Sequence, residues 1–349
     1  MTDPRPRGAR RVLITGGFGF LATWIAAGLL RGGHQVVLVD SRHTVEGSPA
    51  GLAGLPGLPG VRTVPGTDIT RPGALDGITD VDTVVHAAAL LGVGKVRDAP
   101  IETLRVNIDG TAAVLDYAVK LPSLRRFLLL STSEVYGAEA KDAHEDEWLS
   151  VRVGDPRWSY AVSKVTAESM TAAYGTEHGL PFTIVRPFNV YGPLRTGSYA
   201  VGALCRQAVA GRDLTVHGDG GQTRAWCHAE DFANGVVRCL HAPEAEGETF
   251  NIGDDRFGLS VADLADRIAA AAGATGSVVR TPTPGPDIAS RRPDLAKARR
   301  LVGHRPARGF DEGLKETVDW YRAGAGPLTI RLLRDDWERP ADTTPGTAR

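Results

Sequence analysis

The chain has 349 residues, with 40 Lys and Arg against 41 Asp and Glu for a formal net charge of -1. At 42% hydrophobic and 23% charged residues it falls among ordinary globular proteins, long enough for one large domain or two lobes sharing a core. That balance offers no electrostatic footprint for nucleic acid or an anionic membrane. No apolar run approaches the roughly 18 residues of a membrane span, and the Arg- and Pro-rich start, Met1 to Arg11, lacks the apolar stretch of a secretory signal. A cytoplasmic location is the expectation. Cys205, Cys227 and Cys239 form no CxxC pair, and His86, His217 and His228 show no ligand spacing, so neither a disulfide framework nor a metal is expected.

Taken in chain order, Val12 to Ile14 is a short apolar run that enters a glycine turn, and Leu21 to Leu30 has the apolar density of a packed helix. Val36 to Val39, Thr83 to Val85 and Phe127 to Leu130 are further buried-strand runs. Between the last two, Ile101, Leu104, Val106, Ala112, Val114, Leu115 and Ala118 suit an amphipathic helix. A helix from Ser159 to Tyr174 leads to one more run, Thr183 to Val185. Buried strands alternating with helices predict an α/β fold: a Rossmann-type, doubly wound parallel sheet. The Gly- and Pro-rich stretch from Gly47 to Gly60 reads as a surface loop. Beyond about Val190 the elements shorten, with helices at Val261 to Ala272 and Asp311 to Tyr321. The expected division is a dinucleotide-binding domain over 11–190, a smaller C-terminal substrate lobe over 191–322, and an irregular tail over 323–349.

The run Thr15-Gly16-Gly17-Phe18-Gly19-Phe20-Leu21-Ala22 follows a strand and opens a helix. Glycine lets the backbone turn tightly and approach a pyrophosphate, whose charge then sits at the helix N-terminus. A glycine pattern alone is weak, and a strand-turn-helix corner with no ligand is the plain alternative. Asp40 sharpens it. A carboxylate closing the second strand accepts hydrogen bonds from ribose hydroxyls and repels a 2′-phosphate, which points to NAD rather than NADP, although Arg42 lies nearby. Ala22 stands where the usual pattern has its last glycine.

Tyr160-Ala-Val-Ser-Lys164 puts a phenol and an ammonium four residues apart on one helix face. Such an ammonium is expected to lower the phenol's pKa and make it a proton acceptor for an alcohol losing hydride. In isolation the pair could equally be solvated surface. However, Thr132, Ser133 and Glu134 leave the carboxyl end of a buried strand, where such sheets bind ligands. Thr132 can bond the hydroxyl that Tyr160 deprotonates, and Glu134 is an acid or base for a neighbouring carbon.

These residues resemble the extended short-chain dehydrogenase/reductase family of nucleotide-sugar epimerases, dehydratases and decarboxylases. The resemblance runs from about Arg11 to Arg322. It includes Asp68-Ile69, His86-Ala87-Ala88-Ala89, Asn107-Ile-Asp-Gly-Thr111, Arg186-Pro-Phe-Asn-Val-Tyr-Gly-Pro193 and Gly218-Asp-Gly-Gly-Gln-Thr-Arg224. It implies NAD held by Gly16, Gly19, Phe20, Leu21, Asp40, Asp68, Ile69, Ala87 and Lys164. It implies a catalytic group of Thr132, Ser133, Glu134, Tyr160 and Lys164. Asn189 and Arg224 match positions that hold the nucleotide diphosphate. Trp226 could line the base pocket or simply fill the core, and Arg291 could reach the sugar or belong to a basic loop. A nucleotide-sugar substrate, UDP-linked in the nearest motifs, and a homodimer joined through the helices around Asn107 and Tyr160 complete what the resemblance implies.

Family members begin by moving hydride from sugar carbon 4 to NAD, and the tripeptide after the strand distinguishes their later steps. Thr132-Ser133-Glu134 lacks the Asp that serves as acid in dTDP-glucose 4,6-dehydratases, and simple 4-epimerases generally lack the Glu. UDP-glucuronate decarboxylases resemble this chain there, and one of them also shares the pattern of Arg157-Trp158-Ser159-Tyr160. The expectation is a UDP-glucuronate decarboxylase-like enzyme. The alternatives are a 4-epimerase of the UDP-glucose or UDP-glucuronate type, a 4,6-dehydratase, and a non-catalytic NAD-binding module.

Overall fold

The side-chain alternation of a buried strand shows how this sheet is covered. In β1 (Arg11–Thr15) Val12 and Ile14 face one apolar core while Leu13 faces another, and in β2 (Gln35–Val39) Val36 and Leu38 oppose Val37 and Val39 in the same way. A strand buried on both sides carries an unbroken apolar run rather than an alternating one. The computed structural model describes residues 8–43, 57–196, 199–283 and 288–325. Most of the Gly- and Pro-rich stretch from 47 to 60 and all of the tail beyond 325 lie outside these.

The chain continues from β1 into α1 (Phe20–Arg31), β2, β3 (Val61–Val64), β4 (Thr83–His86), α2 (Val93–Asp98), α3 (Pro100–Ala118) and β5 (Arg126–Leu130). After β6 (Glu139–Ala143) come α4 (Ser159–His178), β7 (Phe182–Pro187), β8 (Val190–Tyr191), α5 (Ala200–Val209), β9 (Leu214–His217), β10 (Thr223–Ala225) and β11 (Cys227–His228). The remainder is α6 (Ala229–His241), β12 (Glu248–Ile252), β13 (Gly258–Ser260), α7 (Val261–Ala272), β14 (Val278–Thr281), β15 (Ser290–Pro293), α8 (Ala296–Val302) and α9 (Phe310–Arg322).

Seven strands form one sheet in the order β12-β7-β5-β4-β1-β2-β3, every neighbouring pair parallel. This is the doubly wound α/β arrangement expected from the sequence. On one face α1 packs beside α6, and on the other α3 packs beside α4. The order reverses between β1 and β4, and in such sheets the crevice outside the strand ends at that point is where ligands bind. Two strands carry little sequence signal. β3 lies at the edge and is not fully buried, so no apolar run marks it. β12 falls within the stretch assigned to the smaller lobe, yet it pairs with β7 in the large sheet.

The smaller sheet has the order β13-β10-β15-β6. Asn189, at a left-handed φ of 41°, joins the two sheets: its amide donates to the carbonyls of Ala225 and Arg291 at 2.9 and 3.1 Å. An asparagine tolerates that backbone region better than most side chains.

Candidate active site

A cleft of about 1410 Å³ runs along the carboxyl ends of the sheet, from Asp40 and Asp68 to Tyr160, Trp226 and Arg291. Single drug-sized ligands occupy roughly 300–1,000 Å³, so this cleft has room for two joined ligands.

At one end lies the glycine turn. Gly16 has φ of 64°, and a Cβ there would stand 2.7 Å from Ala88 Cα, so the chain closes in this way only without a side chain. Gly19 precedes α1 with no side-chain cap, leaving the first helical N–H groups open to an anion in the cleft. Asp40 is fixed by two backbone donors, Phe18 N–H to Oδ2 and Arg42 N–H to Oδ1, both at 3.0 Å. Arg42 itself folds back, its Nη1 on the Phe18 carbonyl at 2.8 Å. Asp68 accepts the Thr70 N–H and hydroxyl at 3.0 and 2.8 Å, which hold its carboxyl below the usual range. Ile69 touches α3 beneath Gly110. An uncapped helix end beside a buried carboxylate suits a dinucleotide: diphosphate on the first, ribose hydroxyls on the second.

At the other end Thr132 begins a tight turn over Ser133–Tyr136, its Oγ1 accepting the Glu134 N–H at 3.2 Å. The Thr132 hydroxyl also bonds the side chain of Tyr160. Lys164 is buried at 2% exposure and donates its ammonium to the Leu130 carbonyl at 2.8 Å. The expectation that Lys164 lowers the Tyr160 pKa is corrected here. Burial pushes the phenol well above its ordinary value, Glu134 and Tyr199 push the same way, and the Thr132 bond and Arg195 only partly oppose them. Lys164 is itself pushed down to about 8 by burial, and its ammonium is engaged with a carbonyl rather than with the phenol.

The sequence-derived residues gather well. Gly16, Gly19, Phe20, Leu21, Asp40, Asp68, Ile69, Ala87, Thr132, Ser133, Glu134, Tyr160, Lys164, Asn189, Trp226 and Arg291 all line the cleft. Arg224 does not: it stands on β10, donates to the Thr223 carbonyl, and lies outside the lining residues. Trp226 is 8% exposed, its Nε1 with no hydrogen-bond partner among the described residues, and Arg291 braces the Gly137 carbonyl at 2.6 Å from β15. Among the described residues no group of three or more His, Cys, Asp or Glu could hold a metal, and no helix is long and apolar enough to cross a membrane.

The profile of the NAD dependent epimerase/dehydratase family matches residues 12–253. The chain belongs to that family. The match begins in β1 and ends just beyond β12, so it takes in every strand of the large sheet. Among relatives, a UDP-N-acetyl-alpha-D-glucosaminuronate decarboxylase of Bacillus cytotoxicus is 32% identical over 323 residues, 90% of this chain and 98% of that one. UDP-glucuronic acid decarboxylase 1 of Xenopus tropicalis is 31% identical, covering 90% of this chain and 72% of its own. Among solved structures, UDP-glucuronic acid 4-epimerase from Bacillus cereus, in complex with UDP-glucuronic acid and NAD, superposes with a TM-score of 0.81. It is 26% identical and covers 90% and 99% of the two chains.

Within this epimerase/dehydratase scaffold the structure adds residues that motif reading passed over. Arg195 lines the cleft with its guanidinium 3.6 Å from the ring centre of Tyr199 and 5.0 Å from that of Phe20. It makes no salt bridge with a described residue, and burial lowers its pKa. Arg157 pairs with Glu134 at 2.9 Å. Tyr199 and Arg195 lie just past the Arg186-to-Pro193 motif, and the packing of that loop against α1, with Trp24 Nε1 on the Pro193 carbonyl at 3.1 Å and Arg195 over Phe20, brings Arg195 to the cleft. The signal available was a lone Arg and Tyr beside a proline-glycine turn.

Proposed function

We propose that the chain is an NAD-dependent enzyme that decarboxylates a UDP-linked uronate through a 4-keto sugar. The observation that carries this reading is Arg195: a guanidinium in the reaction end of the cleft, near Tyr160, with no salt bridge to a carboxylate among the described residues. A half-buried cation with aromatic rings against it is costly to desolvate, and an anionic substrate group would offset that cost. A sugar whose carbon 6 is a carboxylate carries such a group. The two decarboxylases and the epimerase compared with this chain are all named for uronate nucleotides.

NAD, when bound along Gly16, Gly19, Phe20, Leu21, Asp40, Asp68, Ile69 and Ala87, supplies the acceptor for the hydride of sugar carbon 4 and its donor on return. Tyr160 takes the proton of the 4-hydroxyl as that carbon becomes a ketone, and Thr132 bonds the same oxygen. The carbon-6 carboxylate is then β to a ketone. The bond between carbons 5 and 6 breaks, carbon dioxide leaves, and the electron pair passes to the ketone oxygen, where the Thr132 and Tyr160 hydroxyls stabilise the charge. Carbon 5 next takes a proton, the ketone re-forms, and hydride and the Tyr160 proton complete the product alcohol. Lys164 anchors the helix that carries Tyr160 to the Leu130 carbonyl and so holds the phenol beside Thr132.

Ser133 is a poor acid for expelling a hydroxyl, which weighs against a 4,6-dehydratase. The base is read as uridine, the diphosphate contacts as falling to Asn189, and Trp226 and Arg291 as flanking the nucleotide-sugar. The same reading makes the protein a cytoplasmic homodimer joined through α3 and α4, where Ile101 stands exposed.

The test is to incubate the enzyme with UDP-glucuronate and NAD and to follow product mass. A product lighter by carbon dioxide supports the reading. A new isomer of unchanged mass makes the enzyme a 4-epimerase, and no turnover with copurified dinucleotide makes it a binding module.

A further inference from the structure

Glu134 reaches the cleft already paired. Arg157 Nη1 donates to its Oε2 at 2.9 Å across a sequence separation of 23, with the side chains 19% and 22% exposed. Among the described residues Glu134 Oε1 has no hydrogen-bond partner, and both side chains line the cleft beside Tyr160. The arginine is built in. Asp155 Oδ1 accepts its backbone N–H at 3.0 Å, Pro156 opens the tight turn Pro156–Trp158, and the guanidinium lies 5.0 Å from the Trp158 ring centre. That turn runs directly into α4, so Arg157 and Tyr160 lie on one continuous segment.

A glutamate beside Tyr160 has two electrostatic consequences. It opposes ionisation of the phenol, an influence second only to burial. It also repels any carboxylate that a sugar brings into the cleft. Without a counter-charge, the residue suited to act on carbon 5 would therefore exclude a uronate.

We infer that Arg157 is a positioning and specificity residue that clamps Glu134 through Oε2, cancels its charge, and so admits a sugar bearing a carboxylate while leaving Oε1 free for it. This rests on the uronate reading of the site. Arg157 and Arg195 divide the work: the first neutralises the protein's own carboxylate, and the second faces the substrate's. Arginine suits the clamp because its planar fork holds a carboxylate in fixed geometry while stacking on an aromatic ring.

The experiment measures binding of UDP-glucuronate and of UDP-glucose to the NAD-loaded full chain by calorimetry. The proteins compared are wild type, Arg157→Ala, Arg157→Lys, and Arg157→Ala combined with Glu134→Gln. UDP-glucose is an internal control for folding, since it lacks the charge but shares the nucleotide. Arg157→Ala is expected to weaken UDP-glucuronate by about fivefold or more while leaving UDP-glucose within about twofold, the selectivity of a charge effect. Arg157→Lys keeps most of the uronate affinity, and adding Glu134→Gln to Arg157→Ala restores it. Equal weakening of both ligands, no weakening of either, or a further loss in the double variant overturns the inference. Failure of the wild-type chain to bind UDP-glucuronate overturns the uronate reading as well, and is told apart because it appears before any substitution.

Discussion

Lys164 reaches from the first turns of α4 to the carbonyl of Leu130, 2.8 Å away, at the last residue of β5. This bond ties the helix that carries Tyr160 to the strand that launches Thr132, and so sets the two hydroxyls against each other. The lysine is held at a cost: burial pushes its pKa from 10.5 down to about 8.

Lys164→Met should therefore separate stability from activity. The substitution loses one hydrogen bond but also relieves a buried charge, so stability at pH 7 is expected within about 1 kcal/mol of wild type. Turnover should fall about 100-fold or more. Between about 8 and 10.5 the unfolded lysine holds a proton that the folded one has lost. Stability contributed by this site thus rises with pH across that window, and the wild type should gain on the variant there. Denaturation curves at several pH values check the sign.

Asp40→Ala removes the carboxylate that organises Phe18 and Arg42 and faces the ribose position. NAD affinity should drop about tenfold or more, and preference over NADP should shrink, because the charge that repels a 2′-phosphate is gone. Calorimetric titration with each dinucleotide reads both effects.

Gly16→Ala and Gly33→Ala make a matched pair. Both glycines have positive φ, 64° and 77°, but a Cβ at Gly16 meets the Ala88 backbone while one at Gly33 meets nothing within 4 Å. The expected loss is about 1 kcal/mol at Gly33 and roughly 2–3 kcal/mol at Gly16, where the clash is with main chain. Urea midpoints with unchanged slopes provide the comparison.

Three of the buried histidines contribute most clearly to acid stability. His86 and His228 are pushed down to about 3, and His304 to about 4, each chiefly by burial. Unfolded, each takes up a proton near 6.5 while the folded form stays neutral. Stability is then lost as pH falls from about 6.5 toward 4, by up to about 1.4 kcal/mol per pH unit for each histidine. A melting temperature flat from pH 6.5 down to 4 would contradict this.

Much of the fold was legible because its main strands are short apolar runs between amphipathic helices. α1, α3, α4, α7 and α9 lie where apolar spacing put them, and the large sheet is parallel as that alternation requires. β3 escaped because an edge strand needs no buried run, and β12 because its return to the sheet depends on a pairing with β7 formed only in three dimensions. The site divides similarly. Gly16, Asp40, Thr132 and Tyr160 sit in motifs whose spacing encodes a turn, a strand end or a helix face. The Arg157–Glu134 pair and the stacking of Arg195 on Tyr199 do not, because they depend on how separate loops converge. Even the direction of the Tyr160 shift was misread from spacing. Helical register puts the lysine on the same helix, but its ammonium goes to the Leu130 carbonyl, while burial and Glu134 raise the phenol.

Oxidation and re-reduction of carbon 4 of a uronate within this cleft is tested most sharply by UDP-glucuronate carrying deuterium at that carbon. The wild-type enzyme should release a decarboxylated product that keeps its deuterium at carbon 4, and Tyr160→Phe should abolish turnover or nearly so. A decarboxylated product that has exchanged the label with solvent, or full turnover by Tyr160→Phe, would contradict that chemistry.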